Sequence, residues 1–332
     1  MGWIMKRILL VLMISLLFMT GCGKLSESDI VKEVKANIKK SYLLSGDLAI
    51  LNNDEVYNYD VEVSYKKDRY YKVVLTNTSN NYTQIILKND DGVYILTPAL
   101  NKSFKFQSDG PYNNSQVYLL EALINDIESD NQKKFKETDA GYVFETKVNY
   151  PNNSSLKNQK IVFNKDLKVK EVKVYDNNKT IKMELNVDDV DYSPTFKKNY
   201  FDVDTVMRTF NVDEVMESSN LDDSIFPLFL PSGTKLTNSE KIVMDNGERI
   251  IMTFDGDKPF LLVEETANVM DEFTIIPTYG EPYMLMDTLG VMTDNSLTWT
   301  SGGIDYYLVS EVMKTDELVE IAQSISNVPT LK

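Results

Sequence analysis

The feature that most constrains this chain is its hydrophobic period, which changes near residue 46 and sets the architecture that follows. Over 46–106 the apolar residues recur at every second position: Val61, Val63 and Tyr65, then Tyr71, Val73 and Leu75 beyond a turn at 66–68. Side chains alternate across a strand, so this spacing predicts strands with one face on a core. The pattern continues over 82–88. Asp90, Asp91 and Gly92 then mark a turn before 93–96 and the pair Phe104 and Phe106. This region reads as an antiparallel meander.

Helical spacing flanks and interrupts it. Ile30, Val31, Val34 and Ile38 fall on one face over 26–40, with Ser26 or Ser28 able to cap and with Lys39 and Lys40 placed late. Val117, Leu120, Leu123, Ile124 and Ile127 repeat that spacing over 115–129. Strands resume at 142–150, 159–163, 169–175 and 180–190, separated by turns rich in Asn and Asp. Many strands with two inserted helices predict an α+β fold, a curved antiparallel sheet covered on one face by helices and leaving room for a hydrophobic groove.

Charge divides the chain near residue 200. Residues 22–200 balance 26 basic against 26 acidic side chains, whereas 201–332 hold 7 basic and 24 acidic ones, a net of −17. We expect a domain at 22–200, an acidic connector at 201–225 and a second, small α+β domain at 226–332. In that second domain strands are expected at 241–244, 249–254, 260–263, 282–286, 289–292, 296–300 and 305–309, closed by a helix over 315–326. An acidic surface disfavours nucleic acid and anionic lipid as partners and favours a basic protein.

The inventory also limits chemistry. The chain has no histidine and one cysteine, Cys22. Ser/His/Asp and Cys/His nucleophilic sites, zinc sites built from His and Cys, and intrachain disulfides are therefore excluded. Ser232 and Ser301 neighbour glycines without forming GxSxG. The acidic groups Asp188, Asp189 and Asp191, and Asp255 with Asp257, could serve glycoside hydrolysis or calcium, but turn positions explain them more simply. No cofactor or metal is expected. Trp299 alternates with Leu297 and reads as core, while Tyr306 and Tyr307 should face opposite sides of one strand.

At the amino end, Lys6 and Arg7 precede an apolar run over 8–19 that stops at small residues before Cys22. The run is about a dozen residues against the roughly 20 that a spanning helix needs, so a cleaved secretion signal at 1–21 is expected. Met19, Thr20, Gly21 and Cys22 resemble the lipobox of bacterial lipoproteins, with Met19 where that family prefers Leu. The resemblance implies cleavage between Gly21 and Cys22, a diacylglycerol and palmitate-type anchor on Cys22, and a position on the extracytoplasmic face of the cell membrane. Met5 is an alternative start to Met1.

The segment DGVYILTPALNK (91–102) resembles a strand-turn-strand signature of the LolA-like lipoprotein superfamily. The run IVFNKDLKVKEVKVYDNNKTIKMELNVDDVDYSPTFKKNYFDV (161–203) resembles its closing strands. PLFLPSGTKL (227–236) and LTWTSGGIDYYLVSEVMKTDELVEIAQSI (297–325) look like the small carboxy-terminal domain of Gram-positive sporulation and anti-sigma-related proteins. A LolA-like domain followed by a small β-rich one is the plan of RseB-type periplasmic regulators and of YdcC-like sporulation lipoproteins; the related GerS-like germination lipoproteins, which bind a cell-wall amidase, are shorter and lack the added domain.

The resemblance implies a LolA-like half-barrel. It also implies a non-catalytic, membrane-anchored envelope lipoprotein acting in sporulation or germination by binding a protein such as a peptidoglycan amidase. The alternative it carries is a sensor or carrier of lipid, an acyl chain or lipoprotein, using the concave face of the sheet. Tyr94, Pro98, Phe104 and Phe106 are the candidate partner-binding or lipid-binding residues.

Overall fold

The computed structural model describes residues 25–52, 55–67, 70–107, 115–210, 221 and 226–325. Gly21 and Cys22, with the expected signal, and most of the expected connector lie outside them.

Helix α1 (Glu27–Ile38) begins with a capping box. The Ser26 hydroxyl accepts the Asp29 N–H at 3.2 Å while the Asp29 carboxylate accepts the Ser26 N–H at 3.2 Å, so two otherwise orphaned donors are satisfied. Its buried side chains are Ile30, Val31, Val34 and Ile38, the stripe seen in the sequence.

Six strands follow as a meander: β1 (Ser41–Asn52), β2 (Glu55–Lys66), β3 (Tyr70–Asn77), β4 (Thr83–Asn89), β5 (Gly92–Thr97) and β6 (Lys102–Phe106). After α2 (Leu120–Ser129), a second meander runs through β7 (Lys134–Thr138), β8 (Gly141–Lys147), β9 (Leu156–Asn164), β10 (Val169–Asp176) and β11 (Ile181–Asp191). Antiparallel pairing of β1 with β11 joins the two meanders. The register shifts at Ser45 and Gly46, and a Cβ on Gly46 would stand 2.2 Å from the Asn186 carbonyl oxygen. Only glycine fits that approach.

Beyond the short helix α3 (Val203–Phe210), the chain continues through β12 (Thr234–Met244), β13 (Gly247–Gly256) and β14 (Phe260–Thr266). It then forms β15 (Thr274–Thr278), β16 (Glu281–Met284), β17 (Leu289–Met292), β18 (Ser296–Ser301) and β19 (Ile304–Val309), and ends in α4 (Thr315–Ser324). The first sheet has twelve strands in the order β15-β6-β5-β4-β3-β2-β1-β11-β10-β9-β8-β7. The second has seven, β12-β13-β14-β19-β18-β17-β16. Both are open. The α+β class holds in outline, but sheet dominates, and α1 and α2 give the first sheet modest cover.

Three features depart from the sequence expectation. The stretch 201–210, expected as connector, is α3 with its lead-in, and it packs on the first sheet. Phe201, Val203, Val206 and Met207 close over Val74, Ile85, Leu87, Tyr94 and Leu96. The Lys72 ammonium lies 3.9 Å from the Tyr200 ring centroid and the Ser64 and Tyr200 hydroxyls meet at 2.9 Å, which holds this strap down. Strands β3 to β5 are thus buried on both faces, since Val73, Leu75, Ile86, Val93 and Ile95 line the opposite core. Second, β7 was not anticipated, and neither was β15. Strand β15 leaves the second sheet and pairs in parallel with β6, Thr274 with Lys102 through Thr278 with Phe106. Third, β1 starts at Ser41, five residues before the expected change of period.

The two sheets are stitched together by further contacts. The Tyr59 hydroxyl donates to the Met286 carbonyl at 2.7 Å, the Asn101 amide to the Met270 carbonyl at 3.0 Å, and Lys102 pairs with Asp305 at 3.1 Å. Leu289 and Val291 of the second sheet belong to the core of the first.

Candidate functional site

The four aromatic and proline candidates do not form one surface. Successive side chains on a strand point to opposite faces, so Tyr94 turns toward α3 while Phe104 and Phe106, opposite Ile95 and Val93, turn toward the main core. Tyr94 is 3% and Phe106 2% exposed, Pro98 is buried in a 3-10 turn (Pro98–Leu100), and Phe104 is half-buried. They work as packing residues. The core beneath α1 and α2 is built from side chains of α1, α2 and both meanders.

Several carboxyl groups lie inside that packing. The Tyr42 hydroxyl donates to Glu121 at 2.8 Å and accepts the Leu120 N–H at 3.2 Å, and burial pushes the Glu121 carboxyl up to about 7. On the same helix Asp126 accepts the Gln159 amide at 2.7 Å and is raised by burial to about 6. Asp287, also raised by burial, accepts the Ser301 hydroxyl. Glu264 on β14 is 0% exposed, neither carboxylate oxygen has a hydrogen-bond partner among the described residues, and burial raises it to about 8.

The surface acids behave as turn and ion-pair groups. Asp189 meets Lys168 at 3.0 Å, Asp191 accepts the Ser193 N–H at 2.8 Å, and Asp255 accepts the Thr237 hydroxyl at 2.9 Å. A polar groove of about 420 Å³ opens where α2 ends beside β7 to β10. Its walls include Lys134, which pairs with Glu145 at 3.3 Å, and Lys147, which donates to Gln132 at 2.9 Å.

The surface missed in the sequence is the part of the second sheet's outer face that lies over β13, β14 and β19; at β17 the same face packs on the core of the first sheet through Leu289 and Val291. The inner face of the second sheet carries Ile250, Met252, Leu262, Tyr306 and Leu308 into a core closed by α4, with Trp299 stacked on Tyr306 at 4.8 Å. Register places Ile251, Val263 and Tyr307 side by side on the outer face, with Leu261 beside Val309 in the next row. Tyr307 is 41% exposed and the other four are half-buried. The ion pairs of Arg249 with Glu265 at 2.6 Å and of Lys102 with Asp305 at 3.1 Å border it. The run FLLV at 260–263, apolar at odd and even positions alike, was the available signal.

Comparison with known proteins gives one relative by sequence: sporulation protein YdcC of Bacillus subtilis (strain 168), 38% identical over 324 residues that span 96% of each chain. The chain belongs to the YdcC family of sporulation proteins. No family model matches it. Among solved structures, the Pseudomonas aeruginosa MucA/MucB complex aligns with 89% of this YdcC-family chain and 96% of its own, at 13% identity and a TM-score of 0.32. A chain of the Clostridioides difficile CwlD amidase complex with the GerS lipoprotein aligns with 51% of this chain and 96% of its own, at 16% identity and a TM-score of 0.32. The LolA superfamily protein NE2245 of Nitrosomonas europaea aligns with 54% and 98%, at 12% identity and a TM-score of 0.30. At these scores none of the three carries a conclusion about this YdcC-family member.

Proposed function

We propose that this chain is a non-catalytic, lipid-anchored protein of the cell envelope that serves sporulation by binding another protein, such as a peptidoglycan amidase. The observation that carries this reading is the 38% identity to sporulation protein YdcC across 96% of both chains. Among the described residues no group of three or more acidic side chains is placed to hold a metal ion. Membership of the YdcC family supports the role in sporulation. The lipobox ending at Cys22 supports the anchor, which would keep the protein at the membrane surface where a shuttle would have to diffuse.

The test combines labelling with genetics. Radiolabelled palmitate should enter the wild-type protein and not Cys22→Ala, and deletion of the gene should impair sporulation or germination. Affinity purification from crosslinked sporulating cells should recover an envelope enzyme. Normal spores from the deletion strain, or acyl lipid copurifying in stoichiometric amount, would overturn the proposal.

A further inference from the structure

The outer face of the second sheet is covered at β17, where Leu289 and Val291 enter the core of the first sheet, and strands elsewhere in the molecule give a standard for the part left over β13, β14 and β19. Strands β4 and β5 carry apolar side chains at consecutive positions, Ile85 to Leu87 and Val93 to Leu96, and the fold answers with a core on one side and the α3 strap on the other. Strand β14 repeats this composition: Phe260 and Leu262 enter the core under α4, whereas Leu261 and Val263 face outward, half-buried, and belong to none of the three hydrophobic clusters of the described residues. A one-sided antiparallel sheet normally turns polar residues to water, so five neighbouring apolar side chains on the bare side mark a surface made to be covered.

Charge narrows what covers it. Over the described span 226–325 there are 17 acidic and 5 basic side chains. The cations bordering the face are engaged, Arg249 with Glu265 and Lys102 with Asp305, while Glu240, opposite Ile251 on the neighbouring strand, is exposed. A second copy of this chain would bring the same negative field, and an anionic lipid surface would be repelled in the same way. A cationic partner would be drawn in over about a Debye length, roughly 8 Å at physiological salt, before any apolar contact forms.

We propose that the outer face of the second sheet docks a basic, amphipathic segment of another envelope protein, whose apolar stripe packs on Ile251, Val263, Tyr307, Leu261 and Val309. This deepens the partner-binding reading above and rests on it. Tyr307 stands at the centre of the contact. It is exposed enough to be replaced without disturbing the core, whereas its neighbour Tyr306, stacked on Trp299, is not.

The experiment places a photoactivatable phenylalanine at position 307 of the full chain in sporulating cells, with the same probe at Val56, an exposed position on β2, as control. The expected result is an adduct at 307 and none at 56, with the captured segment carrying net positive charge. A synthetic peptide of that segment should then bind at least tenfold more weakly to Tyr307→Ser and to Val263→Thr, and at least tenfold more weakly when salt is raised from 50 to 300 mM. No adduct at 307, an adduct with a second copy or with lipid, or binding indifferent to salt and to both substitutions would overturn it. An adduct confined to position 56 would remove this face and leave the partner-binding role standing.

Discussion

Gln84 of the first sheet holds Leu289 of the second as a neighbouring strand would. Its side-chain oxygen accepts the Leu289 N–H at 2.5 Å and its amide donates to the Leu289 carbonyl at 3.2 Å, with the Thr288 hydroxyl adding a third bond at 2.9 Å. All three residues are buried, so no water can replace these partners at low cost. Gln84→Ala should therefore destabilise the protein by about 3 kcal/mol, one buried unsatisfied group costing roughly 1–3 kcal/mol. Because this clamp lies between the sheets, denaturant unfolding of the variant should also lose its single transition. An unchanged midpoint would show that β15 and the shared core suffice to unite the sheets.

Glu264 predicts a pH dependence whose sign is fixed by burial. Its ordinary value is 4.5 and its folded value about 8, so between these the folded state binds more protons than the unfolded one. Stability then falls as pH rises through that window, by the linkage relation. Glu121, at about 7, and Asp126, at about 6, act in the same direction. Asp29 and Asp130 are held below 3.8, so their stabilisation is present above that value and is lost only as pH falls beneath it. Tm should be highest near pH 5 and decline toward pH 8.5. Glu264→Gln, which keeps the shape and removes the charge, should raise Tm at pH 8.5 and flatten the decline; an unaltered profile would show that the carboxylate finds solvent.

The α3 strap should be worth more to stability than its position outside the main core suggests. Phe201 is 7% exposed and its ring meets Phe196 at 5.2 Å, Tyr200 at 5.0 Å and Tyr70 at 5.9 Å. Phe201→Ala should cost about 3–5 kcal/mol, as large-to-small core changes do. By contrast, Tyr307→Ser on the bare face should change stability by less than about 1 kcal/mol, since surface substitutions seldom exceed half that. Equal losses in thermal melts of the two variants would contradict the difference in cover between the two sheets.

Gly46→Ala tests the junction between the meanders. A methyl at that position enters the space of the Asn186 carbonyl, at the register shift where β1 meets β11. The cost should be about 1–3 kcal/mol, as for overpacking elsewhere. Hydrogen exchange should report it as lost protection along β11 more than along β2, and uniform protection would place the weakness elsewhere.

Much of this fold was legible as local pattern. The alternation of β2 and β3, the inward Trp299 and the opposed Tyr306 and Tyr307 all follow from side-chain geometry within one element, which a sequence records directly, whereas the choice of Ser26 over Ser28 as the cap came with the Asp29 carboxylate that closes the box. The absence of imidazole depends on composition alone. What stayed hidden depends on contacts between distant segments. Thr274 to Thr278 carry Pro277 and a weak strand pattern, and they become β15 because the edge of β6 is free to receive them. Tyr94 looked like a ligand contact until α3 covered it, while Tyr307, expected only to face away from Tyr306, is 41% exposed. Hydrophobic period says which side chains share a face; whether that face meets a helix, another sheet or water is decided by what the rest of the chain packs there.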